Sequence, residues 1–189
     1  MNEAWKELKQ ECAQCRRCGL GETRHHLVFG DGAEDARIML IGEGPGEQED
    51  LQGLPFVGPA GKLLDDMLEM IYLDRTKVYI ANIVKCRPPQ NRDPLPEESA
   101  ACMPWLRQQF QLIRPKIVVC LGRVAAQRML DPGFSISRDH GKFFDKQGTL
   151  FMATYHPAAL LRYPDNKPAV FGDFVALRQK ITEVCDHTY

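Results

Sequence analysis

Hydrophobic positions along the chain fall into short dense runs separated by longer amphipathic stretches. Arg37-Ile38-Met39-Leu40-Ile41-Gly42 reads as a buried strand ending in a glycine turn. Lys77 to Val84 reads as a second strand with Val78, Ile80 and Ile83, Lys116 to Gly122 as a third, and Thr149 to Tyr155 as a fourth. Between them apolar residues recur at helical spacing. Leu63, Leu64, Met67, Leu68 and Ile71 lie within Gly61 to Tyr72, and Pro96 to Ile113, Arg123 to Leu130 and Ala169 to Val184 follow. Leu95-Pro96-Glu97-Glu98 suits a helix start, with Pro in the first turn and acids favoured by the helix dipole. Strands this uniformly apolar are covered on both faces, and their alternation with helices predicts an α/β fold with a parallel sheet.

In such sheets ligands bind beyond the carboxyl ends of the strands. Three of the four strands run into chemistry there: Gly42-Glu43-Gly44-Pro45-Gly46, then Asn82, then Tyr155-His156-Pro157. The third ends in Leu121-Gly122-Arg123.

The chain has 189 residues, 44% hydrophobic and 26% charged, which suits a single domain over residues 1–189. No apolar run approaches the ~18 residues that span a bilayer, and the first residues show no basic segment followed by an apolar one. The expected location is the cytoplasm, without a membrane partner. Seven cysteines there, an odd number, argue against a disulfide framework. The net charge of −1 conceals an asymmetry: residues 1–74 carry seven Lys+Arg and fifteen Asp+Glu, residues 75–189 seventeen and ten. A basic face for a polyanion is therefore compatible with a neutral protein.

The turn Gly42-Glu43-Gly44-Pro45-Gly46-Glu47-Gln48-Glu49-Asp50 resembles a phosphate loop only superficially. It lacks the G-x-G-x-x-G spacing and a G-K-[ST] ending, and its four carboxylates would repel a pyrophosphate, so no nucleotide cofactor is expected. A backbone approaching a neutral ring, with Glu43 beside it, fits better. Glu47 and Asp50 read as solvated acids. Cys12, Cys15 and Cys18 are spaced C-x2-C-x2-C, with Cys86 and Cys102 far downstream. Two N-terminal thiols and two distant ones make a four-cysteine site, for zinc or an iron–sulfur cluster. Spacing leaves open both the metal and which N-terminal pair binds it. Cys120 and Cys185 read as inert thiols.

Together these segments resemble family 4 uracil-DNA glycosylases, the iron–sulfur branch of the uracil-DNA glycosylase superfamily. The resemblance runs from about Cys15 to about Arg162. It is carried by Val28-Phe29-Gly30, the Gly42–Gly46 turn, Gly53-Leu54-Pro55-Phe56-Val57-Gly58-Pro59-Ala60-Gly61, Ala81-Asn82-Ile83-Val84-Lys85-Cys86-Arg87-Pro88-Pro89 and the His156 segment. It implies a three-layer α/β/α sandwich around a four-stranded parallel sheet. It also implies a 4Fe–4S cluster on Cys15, Cys18, Cys86 and Cys102, pinning the N-terminal cysteine segment to the body. Cys12 becomes an extra thiol, although Cys12 and Cys15 share the same spacing.

The implied activity is release of uracil from single- or double-stranded DNA by a monomer. Phe56 would stack on the flipped base, in an exposed loop ill-suited to core packing. Asn82 would read the uracil N3–H and O4 edge, and His156 would stabilise the anion on O2. Glu43 would orient the attacking water, beside Gly44 where many superfamily members place the acid. Glu49 is a rival for that water. Leu160 would fill the gap in the stack, while Arg162, Lys85, Arg87 and Arg92 would touch phosphates. The lineage also includes proteins that trap uracil covalently through a histidine in a basic loop. The stretch Cys86–Pro94 here holds no histidine, which favours turnover. A non-catalytic iron–sulfur or zinc module, or an electron carrier, would account for the cysteines but not for Glu43, Phe56, Asn82 and His156.

Overall fold

A computed structural model describes residues 3–188. The chain runs α1 (Glu3–Ala13), α2 (Leu20–Thr23), β1 (Asp31–Gly32), β2 (Ile38–Gly42), α3 (Glu47–Gln52), α4 (Pro59–Glu69) and β3 (Tyr79–Asn82). There follow α5 (Pro96–Ile113), β4 (Ile117–Leu121), α6 (Arg123–Met129), α7 (Ile136–Asp139), β5 (Phe143–Lys146), β6 (Thr149–Thr154), α8 (Pro157–Arg162) and α9 (Lys167–Val184). The sheet order is β1-β3-β2-β4-β6-β5.

The four apolar runs form the parallel centre, β3-β2-β4-β6. Among the described residues the sheet has six strands rather than four, because a short antiparallel strand closes each edge. β1 pairs with β3, and β5 forms a hairpin with β6. The hairpin turns through Gln147 and Gly148, both at positive φ, as a tight two-residue turn with the twist of its strands requires. Neither edge strand carries an apolar run, which is why periodicity does not reveal it.

Side chains alternate across the sheet and build two cores. Met39, Ile41, Ala81, Val118 and Cys120 face α1, α5 and α6; Leu40, Ile80, Ile117, Val119 and Leu121 face α4, α8 and α9. The N-terminal helix has its own apolar anchor. Trp5, Leu8 and Cys12 are buried, and the Trp5 ring meets Phe29 and Tyr79 edge-on at 5.4 and 5.2 Å. Among the described residues no helix is long and apolar enough to cross a membrane. In register, Gly42 lies beside Asn82 and Leu121 beside Thr154, so the residues after these strands emerge along one edge.

Candidate active site and cysteine cavity

At that edge the turn after β2 lies against the end of β3. Ile83 N donates to Gly42 O at 2.9 Å and Val84 N to Glu43 O at 3.2 Å. Gly42 leaves no room for a side chain: a Cβ there would sit 2.4 Å from Asn82 Oδ1 and 2.7 Å from Phe56 Cζ. Gly44 packs as closely on Val84. Asn82 is 2% exposed, and its Oδ1 has no hydrogen-bond partner among the described residues. An unsatisfied buried acceptor costs about 1–3 kcal/mol, so a group that donates to it is bound with that advantage.

Phe56 is buried, against the expectation of an exposed loop residue. It packs into the core beneath the loop and stacks on the His156 ring, with centroids 5.5 Å apart and planes 28° apart. Its φ of 54° is unusual for an aromatic residue and persists only where the surroundings enforce it. Arg75 donates to Pro55 O at 2.8 Å and to Phe56 O, while holding Asp65 at 2.7 Å. From the other side Glu49 accepts from Val57 N at 2.9 Å, Gly58 N at 3.0 Å and Gly46 N at 3.1 Å. The Glu49 carboxylate is therefore occupied in joining the two loops. Asp50 is not solvated but 1% exposed, accepting from His25 N at 3.0 Å and paired with His25 Nδ1 at 2.6 Å. Glu47 is exposed, as expected of a solvated acid.

His156 caps α8, its Nδ1 accepting from Ala158 N at 3.1 Å. That contact makes Nδ1 the bare nitrogen and puts the proton of the neutral ring on Nε2. Burial pulls the ring down to about 4, with Glu49 opposing, so it is uncharged at neutral pH. Gly122, at φ +95°, passes so close that a Cβ would lie 2.8 Å from His156 Cβ.

Glu43 is half-buried. Burial, and then the Asp93 charge, push its carboxyl up to about 7, with Arg123 opposing. Arg123 Nη2 donates to Asp93 Oδ2 at 2.6 Å, so the charges acting on Glu43 are themselves paired. Asp93 and Arg123 had no assigned role in the sequence. The one available signal was the position of Arg123 directly after a central strand.

Three expected DNA contacts are corrected, two on phosphates and one in the base stack. Lys85 is 1% exposed, its Nζ donating to Gln109 Oε1 at 2.6 Å and Asn82 O at 3.1 Å, so it faces the interior. Leu160 is 1% exposed and packs in the core between α8 and the sheet; Leu161, 50% exposed, is the leucine on the outer face. Arg92 is held by Glu98 through two contacts of 2.7 and 2.8 Å. Arg162 is exposed, and Arg87 lies near the surface with Nε on Asn91 Oδ1 at 2.7 Å.

The cysteines meet behind the site. Cys12, Cys15, Cys18, Cys86 and Cys102 line one cavity with Lys85, Arg24 and Trp105. Three of the sulfurs receive N–H donors: Trp105 Nε1 to Cys15 at 3.3 Å, Arg24 Nη1 to Cys86 at 3.2 Å and Lys85 N to Cys102 at 3.3 Å. This donor set fits a cysteine-ligated iron–sulfur cluster, whose sulfurs characteristically accept such bonds. Among the described residues no three His, Cys, Asp or Glu side chains are grouped as a ready-made metal site. Cys120 lies in β4, where burial pushes its thiol up to about 12.

The Uracil DNA glycosylase superfamily profile matches residues 29–177. A type-4 uracil-DNA glycosylase of Archaeoglobus fulgidus is 45% identical, covering 97% of this chain and 94% of its own length. The chain belongs to the type-4 branch of the uracil-DNA glycosylase superfamily. Type-4 uracil-DNA glycosylases of Sulfurisphaera tokodaii and Thermotoga maritima are 41% and 42% identical, covering 94% and 87% of the chain and 84% and 87% of their own lengths. The matched span of residues 29–177 contains every strand and the sheet edge described above.

Proposed function

We propose that this chain is a DNA-repair glycosylase that flips uracil out of DNA and hydrolyses its N-glycosidic bond, leaving an abasic site. The names of its type-4 relatives support that activity. The observation that carries it is the unpaired Asn82 Oδ1, buried beside the Phe56 ring that stacks on His156. An extruded uracil stacks on Phe56, gives its N3–H to Asn82 Oδ1 and takes the Asn82 amide N–H at O4. Cytosine has no N3–H and presents an amine at position 4, so both pairings fail, at about 1–3 kcal/mol for each unpaired buried group.

As the glycosidic bond stretches, its electron pair moves onto uracil. His156, neutral with its proton on Nε2, donates to O2 as that charge grows. A fixed donor of this kind lowers the barrier because it is already oriented. Ionised Glu43 orients the water whose oxygen bonds C1′. With Glu49 committed to three amides, Glu43 is the acid left for the water.

Cys15, Cys18, Cys86 and Cys102 would hold a 4Fe–4S cluster, leaving Cys12 as a fifth thiol. Bound, the cluster supplies a cross-link between the N-terminal segment and the β3–α5 region, since hydrolysis has no redox step. Lys85 lines the same cavity and carries positive charge toward the thiolates. Leu161 replaces Leu160 as the wedge that fills the vacated stack, with Arg162 on a neighbouring phosphate and Arg87 beside the cluster loop. The enzyme acts as a cytoplasmic monomer on uracil-containing DNA.

Incubation with a uracil-containing oligonucleotide, followed by alkali, tests this. A strand cut at the uracil position is expected. An uncut strand in a stable shifted complex would instead indicate a binder or trap.

A further inference from the structure

Of the four parallel strands, β4 is the one whose tip the proposed chemistry leaves unused, and it delivers Arg123 to the Glu43 side of the site. Arg123 binds Asp93 at 2.6 Å and Gln127 at 3.2 Å. Because β2 and β4 run side by side with Ile41 beside Cys120, the pair lies on the Glu43 side, and the Asp93 charge raises the proton affinity of the Glu43 carboxyl. The Asp93 backbone is anchored as well: Arg92 Nη1 donates to Asp93 O at 3.0 Å while its guanidinium clasps Glu98. The Asp93 and Arg123 side chains are more than half exposed, and an exposed ion pair contributes only about 0–1 kcal/mol to folding. Stability does not account for an arrangement tied down at so many points. A carboxylate beside a second negative charge binds an incoming proton more tightly than it would alone.

We propose that Asp93 and Arg123 are positioning residues for the hydrolysis, Asp93 drawing onto Glu43 the proton given up by the attacking water and Arg123 balancing the remaining charge. The step, which rests on the uracil-excising function proposed above, balances without a further reactant. The water oxygen bonds C1′ as the C1′–N1 bond breaks. The electron pair leaves on uracil, and one water proton passes to the Glu43 carboxylate, beside the Asp93 charge. The charged groups facing Glu43 are Asp93 from the segment after β3 and Arg123 from α6. His156, from the segment after β6, is uncharged, and Glu49 on the Glu43 side faces His156 and three amides.

The two neighbours act on Glu43 in opposite directions, and that supplies the test. Single-turnover excision from a uracil-containing single strand is measured between about pH 5 and 9 for wild type, Glu43→Gln, Asp93→Asn, Arg123→Gln and Arg123→Lys. Glu43→Gln should slow excision about a hundredfold or more. Asp93→Asn removes a like charge, so Glu43 ionises more readily and the acid limb should move to lower pH by about one unit. Arg123→Gln removes an opposite charge, and the limb should move to higher pH by a similar amount. Arg123→Lys keeps the charge and should hold the limb near its wild-type position. A purely structural pair would lower rates without moving the limb in opposite senses. If Glu43→Gln is slow but the limb stays fixed, or both neutral variants move it the same way, the proposal is overturned while the proposed function stands. If Glu43→Gln retains the wild-type rate, the role of Glu43 itself falls.

Discussion

Adjacent leucines on α8 are predicted to fail in different ways when each is cut back to alanine. Leu160 is 1% exposed and sits among the residues that join α8 to α4 and the sheet. Leu160→Ala leaves a cavity there, at a cost of about 2–5 kcal/mol. In a domain of this size, that is a fall in melting temperature of roughly 5–15 °C. Leu161 is 50% exposed, so Leu161→Ala should change stability by no more than about 0.5 kcal/mol. It removes the wedge, however. Opening a duplex stack costs a few kcal/mol, and recovering even about 1.4 kcal/mol of that by insertion changes the rate roughly tenfold. Leu161→Ala should therefore slow excision from a duplex about tenfold and from a single strand much less. Both proteins are compared by thermal melting and by single-turnover excision on matched single- and double-stranded uracil substrates. Equal slowing on both substrates by Leu161→Ala, or an unchanged melting temperature for Leu160→Ala, would refute the reasoning.

The remaining site residues lead to separate expectations. His156→Ala should slow single-turnover excision by about two to three decades with little change in DNA affinity; a rate within about twofold of wild type on that scale would make His156 a packing residue. Because burial holds His156 down near pH 4, it stays neutral from about pH 5 upward, and the acid limb near pH 7 should belong to Glu43 and vanish in Glu43→Gln. Asn82→Asp should weaken uracil excision and raise activity on cytosine relative to uracil, and an unchanged preference would remove Asn82 from base reading. Anaerobically purified protein should contain iron and sulfide, losing both in Cys86→Ala or Cys102→Ala but not in Cys120→Ala; stoichiometric zinc without iron would contradict the cluster.

The parts of this fold written in local pattern were legible in the sequence. The run Pro96–Ile113 is recovered as α5 with the same ends, because its start signals and apolar spacing agree. The strand ends bearing Glu43, Asn82 and His156 do converge. What escaped depends on how elements dock. Leu160 and Leu161 are equivalent in sequence, and only the seating of α8 decides which one is buried. Lys85 sits in a segment that looks basic and exposed, yet its stem runs inward to Gln109. Asp93 and Arg123 are thirty residues apart and meet only through tertiary structure. Glu49 resembled a second catalytic acid because composition does not reveal that three amides already claim it.

Hydrolysis at the sugar carbon, with turnover, is the central claim, and isotopic water reads it directly. Excess uracil-containing oligonucleotide is incubated with the protein in ¹⁸O-labelled water, and the products are weighed by mass spectrometry. The account predicts free unlabelled uracil in excess over protein and a single ¹⁸O in each abasic sugar. A protein–DNA adduct, or no uracil released, would contradict it.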